Sequence, residues 1–313
     1  MARYAAQTGA SDVTAIDVVS TAGRIVATAA SHSAFLEVAH SARGERQRIW
    51  TKRGPLTWST STAGVAPDEK LYTPTSVSTT NIQRDCDVVI EQEALMDGAT
   101  SGTPLVEQVV GEGAIGYATF IDALGAGLYA TIDTAAPDHV IGSATAAITG
   151  PLIDQGIELL LIAAPPGIGR LALIIYSGKI RELMQIPGMR DKSILGGRND
   201  GVDGPNFGIE GTSRMIVRGY GGILDIYHSD QIISSTGRHN IMLAVGDGGP
   251  QQAAMVNPWT PIMKPGVTNN KMNLDVVWNE AVRAVEVNMT TYEDWEWRDS
   301  ATASTWAVDL VTA

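Results

Sequence analysis

The stretch 163-AAPPGIGRLALIIYSGKI-180 nearly spells a nucleotide-binding loop. A phosphate loop of the form G-x-x-x-x-G-K-[ST] sits between a strand and a helix. Its backbone N–H groups cradle phosphates, its Lys reaches their oxygens and its hydroxyl holds magnesium. Aligned on Gly169, the first glycine is Ala164, the Lys is Arg170 and the Ser/Thr is Leu171. Three of the four defining positions therefore differ, the magnesium ligand among them. The following LALIIY is an apolar run rich in branched residues, which predicts a buried strand where a phosphate site needs a helix N-terminus. SGKIRELMQI then predicts a helix capped by Ser177 and closed at Pro187-Gly188, and 148-ITGPLIDQGIELLLIA-163 predicts a helix before the turn. The order is helix, turn, strand, helix, so the motif is a turn feeding an α/β core.

The pattern extends outward in both directions. Residues 188–212 form a Gly/Asp-rich loop, and SRMIVRGY, ILDIYHSDQI and HNIMLAVG read as strands. A Pro- and Met-rich loop runs on to Gly266, and the tail 272–311 alternates Val, Trp and Tyr with charge as strands do. Upstream, Thr103 and Pro104 start a helix of about thirty residues whose apolar positions run from Val106 to Ile132 in steps of three and four. That helix contains Gly111, Gly113, Gly116, Gly125 and Gly127. Each interior glycine costs about 1 kcal/mol of helix propensity, so close packing must hold it. CDVVIEQEAL is a strand running into a short helix. Before it, RQRIWT, LTWSTS and KLYTPTSVST alternate around Arg53-Gly54-Pro55, which predicts a long β-hairpin. A two-stranded ribbon is marginal by itself, so this one is expected to lie on another molecule. Residues 23–44 read as a helix, preceded by a small, polar arm.

Composition excludes several functions. The 313 residues are 44% hydrophobic and 18% charged, with 33 glycines and few aromatics, a globular balance suited to sheets and bends. Net charge is −12, but residues 1–60 carry seven basic and four acidic side chains, so the front is +3 and the remainder −15. An acidic body argues against general nucleic-acid binding. The single Cys86 excludes an intrachain disulfide and a multi-thiolate zinc site. The N-terminus lacks a signal pattern, and IELLLIAA is too short to span a bilayer. A soluble protein made in a reducing cytosol is expected.

Candidate chemistry is thin. The five His residues show no metal-ligand spacing, although His32 and His40, eight apart in the predicted helix, could share a face. Glu91 with Glu93 and Asp294 with Glu296 alternate as on solvated strand faces. No catalytic residue, metal site or cofactor is expected.

The block 65-VAPDEKLYTPTSVSTTNIQRDCDVVIEQEALMDGATSGTPLVEQVVGEGAIGYATFIDALGAGL-128 resembles the major capsid proteins of tailed bacteriophages. In that family a hairpin, the E-loop, returns into a strand, an acidic turn (here Glu93 to Asp97) and a long spine helix ending in an acidic and small segment (here Asp122 to Gly125). LALIIYSGKIRELMQI and NEAVRAVEVNMTTYEDWEWRDS are similar to the family's axial strand–helix unit and closing strands. The resemblance is one of organisation over about residues 24–311 and rests on no single specific motif.

It implies an α+β protein of the Hong Kong 97 phage-type capsid fold, with an N-terminal arm, an extended E-loop β-hairpin, a peripheral domain of spine helix and β-sheet, and a central axial domain. The expected divisions are arm and helix over 1–42, E-loop over 43–82, peripheral domain over 83–145, axial domain over 146–266 and returning peripheral strands over 267–313. It also implies a non-enzymatic protein that assembles with itself as pentamers and hexamers into an icosahedral shell around double-stranded DNA, without sequence-specific binding and without a membrane. A separate scaffolding protein, a portal and a decoration protein are the other partners implied. The chain would be made in the host cytoplasm and reside in the virion capsid. Inter-subunit contacts are expected from Arg48, Trp50, Lys52, Arg53, Pro55 and Trp58 of the E-loop, meeting acids of the spine helix (Glu107, Glu112, Asp122) or the tail (Glu293, Asp294, Glu296). Arg190, Asp191, Arg198, Asp200 and Asp203 are expected in a loop at the capsomer axis. An encapsulin-like nanocompartment shell is the nearest alternative. A phosphate-binding enzyme using the 163–170 turn and a tail or decoration protein are more distant ones.

Overall fold

The run that fails as a phosphate loop is the centre of a sheet. In the computed structural model of the chain, residues 33–43, 46–52, 75–95, 105–163, 170–186, 215–220, 224–245, 253–260 and 271–313 are described. Strand β6 (Arg170–Tyr176) lies between β9 (Arg238–Val245), antiparallel, and β8 (Leu224–Ser229), parallel. Leu171 to Ile175 are all buried. A strand covered on both faces reads as a continuous apolar run instead of an alternation. The sheet continues in the order β5 (Val140–Gly142), β14 (Ala307–Thr312), β9, β6, β8, β7 (Met215–Tyr220). Helix α1 (Ala34–Val38) packs on β6 and β8, and α3 (Gly150–Ala163) on β14, β9 and β5.

The second sheet is built on β12 (Ala284–Glu293), paired antiparallel along its length with β4 (Ile82–Glu91) on one side and β11 (Met272–Asn279) on the other. Where β11 stops, Glu293 pairs with Trp259 of β10 (Met255–Trp259), which also takes β13 (Glu296–Trp297) antiparallel and β1 (His40–Arg43) parallel. Helix α2 (Leu105–Gly127) packs on β12 and on α1. Its Val110, Ala114, Tyr117 and Ile121 are buried at helical spacing. Its described part is 23 residues long, about 35 Å at 1.5 Å per residue, and it stops at Gly127, before the Ile132 that the periodicity reaches. A 3₁₀ turn over Leu128–Thr131 ends it, where Trp297 Nε1 donates to Leu128 O (3.1 Å) and Thr131 Oγ1 (2.8 Å). The tail thereby adds a second donor to an end carbonyl that also accepts from Thr131 Oγ1 (2.9 Å).

Several expectations are corrected. The described part of the 23–44 helix is α1 alone, with Leu36 N donating to its N-cap Ser33 Oγ at 3.2 Å. His40 to Arg43 form a strand instead, so His32 and His40 share no helix face. The region read as a Pro- and Met-rich loop contains β10, with Pro258 in the strand opposite Ala42 of β1. Ser177 makes no cap: its Oγ lies 3.0 Å from His228 Nδ1, and the helix after β6 is a 3₁₀ turn followed by four residues of α4 (Ile180–Leu183). Glu93 belongs to a helical turn over 92–95 and does not alternate with Glu91 on a strand. The sheets also cut across the expected divisions. β5 and β14 join the central sheet, while β10 and β1 join the β12 sheet. Pairings over such sequence distances are set by tertiary packing, which local pattern does not encode. The Thr103–Pro104 start and the 188–212 and 246–252 loops lie outside the described residues.

The glycines of α2 divide in two. A Cβ on Gly125 would stand 2.5–2.9 Å from ring atoms and Cβ of Phe35, whereas Gly116 faces open space. Gly125→Ala is expected to destabilise the chain by about 1–3 kcal/mol through overpacking. Gly116→Ala is expected to stabilise it by up to about 1 kcal/mol through helix propensity. Urea unfolding of the two variants checks the opposite signs.

Candidate assembly surfaces

The predicted hairpin exists at its base. β2 (Gln47–Lys52) and β3 (Thr75–Thr80) pair antiparallel, Trp50 opposite Val77. Residues 53–74, with Arg53, Pro55 and Trp58, lie outside the described residues, and so does the Lys52 side chain. The alternation of RQRIWT splits this base into an outer face, with Ile49 two-thirds exposed, and an inner face that carries Trp50.

Trp50 is a correction. It was expected to anchor a neighbouring subunit, yet it is 3% exposed and held by its own chain. Its Nε1 donates to Thr79 Oγ1 at 2.9 Å, and the His40 ring meets it edge-on with centroids 5.9 Å apart. The guanidinium carbons of Arg48 and Arg298 lie 4.4 and 5.5 Å from its ring, a cation–π arrangement. Arg48 also donates to Arg43 O. Burial, then the charges of Arg298 and Arg48, lower the His40 pKa. The turn after β3 fastens the base further. Thr80 N donates to Asp294 Oδ2 (3.0 Å) and Asn81 N to Arg46 O (2.8 Å). The hairpin thus leaves the body from a fixed root. Arg298 and Asp294, in the tail, are the root residues that sequence reasoning missed as partners; they flank the short strand β13 in a Trp-rich run.

The acids expected to receive a neighbour's hairpin also divide. Asp122 is buried, accepting from Ser33 Oγ (2.5 Å), Phe35 N (3.4 Å) and Ser229 Oγ (2.6 Å). Glu293 is buried too, with Tyr117 Oη and Asn257 Nδ2 donating to its Oε2. Neither can meet a neighbour's cations. Glu112 is exposed beside Gln108, and the Glu107 side chain lies outside the described residues. A different acidic surface appears on the face of the β4–β12–β11 sheet turned away from α2. There Asp85, Asp87, Asp275 and Glu286 line a shallow depression of about 570 Å³ with Asn273 and Asn288. The strand period of two places them together; the register, which the sequence does not reveal, makes them one surface. Between α2 and the opposite face runs a more apolar groove of about 710 Å³, lined by Val88, Val109, Tyr117, Phe120 and Met289.

One side-chain set has the form of a reactive site. Ser235 Oγ lies 2.9 Å from His239 Nε2, and His239 Nδ1 lies 2.7 Å from Asp309 Oδ2. This is the order of an acyl-transfer triad. The imidazole, however, is buried and stacked on Tyr129 at 4.1 Å, and neither depression opens beside it. Its evident work is to tie β9 to β14. Among the described residues, no group of three His, Cys, Asp or Glu side chains could hold a metal ion, and no helix is long and apolar enough to cross a membrane. The 163–170 turn lies mostly outside the described residues, but β6 stands where a phosphate loop requires a helix. Arg190, Asp191, Arg198, Asp200 and Asp203 lie outside the described residues.

No family model and no curated protein matches the sequence. Solved shells match the structure over nearly its whole length. The SrpI encapsulin of Synechococcus elongatus is 12% identical with a TM-score of 0.56, covering 88% of this chain and 86% of its own. The capsid of Ralstonia phage GP4 gives 10% and 0.58 over 87% and 86%, and Mycobacterium phage Che8 gives 11% and 0.56 over 89% and 90%. The chain has the Hong Kong 97 phage-type capsid fold shared by these shells.

Trp50→Ala is expected to cost about 3–5 kcal/mol in urea unfolding, and to speed tryptic cleavage at Lys52 and Arg53 by loosening the root. Glu296 is raised to about 7 by burial and by the Asp294 charge. A carboxyl whose folded pKa lies above its unfolded value binds its proton more tightly when folded, so its contribution falls as pH rises from about 4.5 to 7. Stability measured across that window should fall less steeply with rising pH in Glu296→Gln.

Proposed function

We propose that the chain is the major capsid protein of a tailed phage, forming pentamers and hexamers that close into an icosahedral shell around double-stranded DNA. The observation that supports this best is the fold itself, matched over about nine-tenths of both chains by phage capsids of little sequence identity. In this reading the E-loop residues Arg48, Lys52, Arg53, Pro55 and Trp58 lie on the next subunit. Their cations meet the Asp85–Asp87–Asp275–Glu286 face rather than Asp122 or Glu293. Trp50 stays behind as part of the root. Arg190, Asp191, Arg198, Asp200 and Asp203 gather at the capsomer axis. An acidic body repels packed phosphates instead of trapping them, so the DNA is enclosed without base-specific contacts. A separate scaffolding protein, a portal and a decoration protein are the partners such a shell uses, and the chain is made in the host cytoplasm before it enters the virion. Many weak contacts that are correctable one by one make a closed shell stable through their number.

The likeness to an encapsulin supports a second reading, a cellular nanocompartment. Contents separate the two. The purified chain should elute as pentamers, hexamers or closed shells, seen by native mass measurement and negative-stain microscopy. DNA inside shells from the natural source favours the phage capsid, and protein cargo favours the compartment. A monomer at all concentrations whose 45–80 segment resists protease would sink both, because the hairpin would then be folded on its own body.

A further inference from the structure

The acidic face of the β4–β12–β11 sheet holds one group that its charges leave unexplained. Asn273 is 5% exposed, and its Oδ1 is buried with no hydrogen-bond partner. Its side chain lines the depression, two residues along β11 from Asp275 and on the same side of the sheet. A buried acceptor is normally paired, so this one marks a donor that the chain itself does not supply. The register sets the acids around it as a grid. Asn288 lies between Asp275 and Asp87, and Thr290 lies between Asn273 and Asp85. Asp85 and Asp87 stand about 7 Å apart along β4, and Asp87 and Asp275 about 10 Å apart across β12. A hard cation draws its oxygen ligands to about 2.5 Å, closer than this grid allows. Among the described residues, accordingly, no three such side chains could hold a metal ion. The grid matches instead a chain of cations set several bonds apart.

Two of the carboxylates are oriented without being neutralised. Asp85 accepts from Gln83 Nε2 at 3.0 and 2.9 Å, and Tyr292 Oη donates to Gln83 Oε1 (2.7 Å). Glu286 Oε1 accepts from Asn279 Nδ2 at 2.7 Å. A carboxylate has about four lone-pair sites, so oxygens held by amides can still accept from an ammonium. Among the described residues no Lys or Arg lines the depression, and Lys271, just before β11, is turned to Ser41 and Asn257. Val89 and Val277 stand exposed on either side of Glu286. Methyl groups therefore lie beside charge on the same face.

We propose that this face binds a linear aliphatic polyamine. Its ammonium groups donate to Asp85, Asp87, Asp275 and Glu286, one amine N–H reaches Asn273 Oδ1, and its methylenes lie on Val89 and Val277. A single exposed ion pair is worth little. Ammonium groups linked on one chain act together, because the first to seat holds the next at high effective concentration. The ligand also relieves the repulsion among acids fixed on one sheet. A bare metal ion has no methylenes for the two valines, and a lone ammonium cannot reach both edge strands. The site belongs to one chain, so the proposal does not rest on the capsid reading. Where a neighbour's cations reach the same face, they compete with the ligand.

Calorimetric titration of the purified full chain with spermidine, at an ionic strength of about 0.1 M, tests it. Saturable binding of one spermidine per chain is expected, with putrescine weaker because it carries fewer ammonium groups. Asp87→Asn combined with Asp275→Asn should weaken binding about tenfold, whereas Glu158→Gln on α3 should leave it unchanged. Asn273→Leu should also weaken binding, without lowering the urea midpoint, because it removes an acceptor that folding leaves unpaired. The Asp87–Asp275 variant changes only side chains at the surface of the depression, so it decides the matter if Asn273→Leu does not fold. A titration without saturable heat overturns the proposal. So does an affinity that survives in the Asp87–Asp275 variant, or complete displacement of spermidine by magnesium chloride at equal ionic strength, which identifies an unspecific acidic surface.

Discussion

The Asp122 carboxylate is the point on which the two halves of the molecule turn. It sits near the end of α2, the helix of the β12 sheet. It accepts from Ser33 and Phe35 at the start of α1 and from Ser229 at the end of β8 in the other sheet. A buried carboxylate is tolerable only where donors replace the water it has lost. Here those donors come from segments far apart in sequence, so the charge is satisfied only when helix, arm and central sheet are all in place. Phe35, wedged against Gly125 one turn along, turns the same junction into a packing constraint. The helix cannot slide without breaking either the hydrogen bonds or the contact.

A second junction does the same for the hairpin. Trp50 lies between cations from its own strand and from the tail, and Asp294 holds the backbone where β3 ends. The root also explains why an aromatic that reads as an interface anchor is spent internally: a two-stranded ribbon cannot hold its own base, and indole is the largest apolar surface available there.

Where the chain reveals itself, one segment's pattern suffices. LALIIY is apolar at every position, so it has to be a strand buried on both faces. Val110, Ala114, Tyr117 and Ile121 keep helical spacing despite the glycines between them, and RQRIWT alternates. These local signals made the hairpin, spine helix and central strand readable, and their order carried the resemblance to capsid proteins. Distant pairing made the rest unreadable. His40 to Arg43 look helical because nothing nearby shows that β10 will lie alongside, and Met255 to Trp259 look like loop because Pro258 weakens the strand signal. Asp122 and Glu293 look like surface acids because charge normally is; only the fold supplies the hydroxyls and amide that bury them.

That burial changes how the net charge is to be understood. With Asp122 and Glu293 inside, Asp85, Asp87, Asp275 and Glu286 remain outside, gathered by strand period and register on the far face of the β4–β12–β11 sheet. That face also exposes Val89 and Val277, which stand on either side of Glu286. Further exposed apolar side chains lie elsewhere, Ile115 and Phe120 on α2, Leu161 and Ile162 at the end of α3, and Trp278 beside the β11–β12 turn. Surfaces of different character on different elements do not complement themselves across a two-fold axis. They suit head-to-tail contacts, in which one patch meets another and rotation closes a ring. Among the described residues the chain presents a hairpin base held by its own tail, an acidic sheet face and small apolar patches on separate elements.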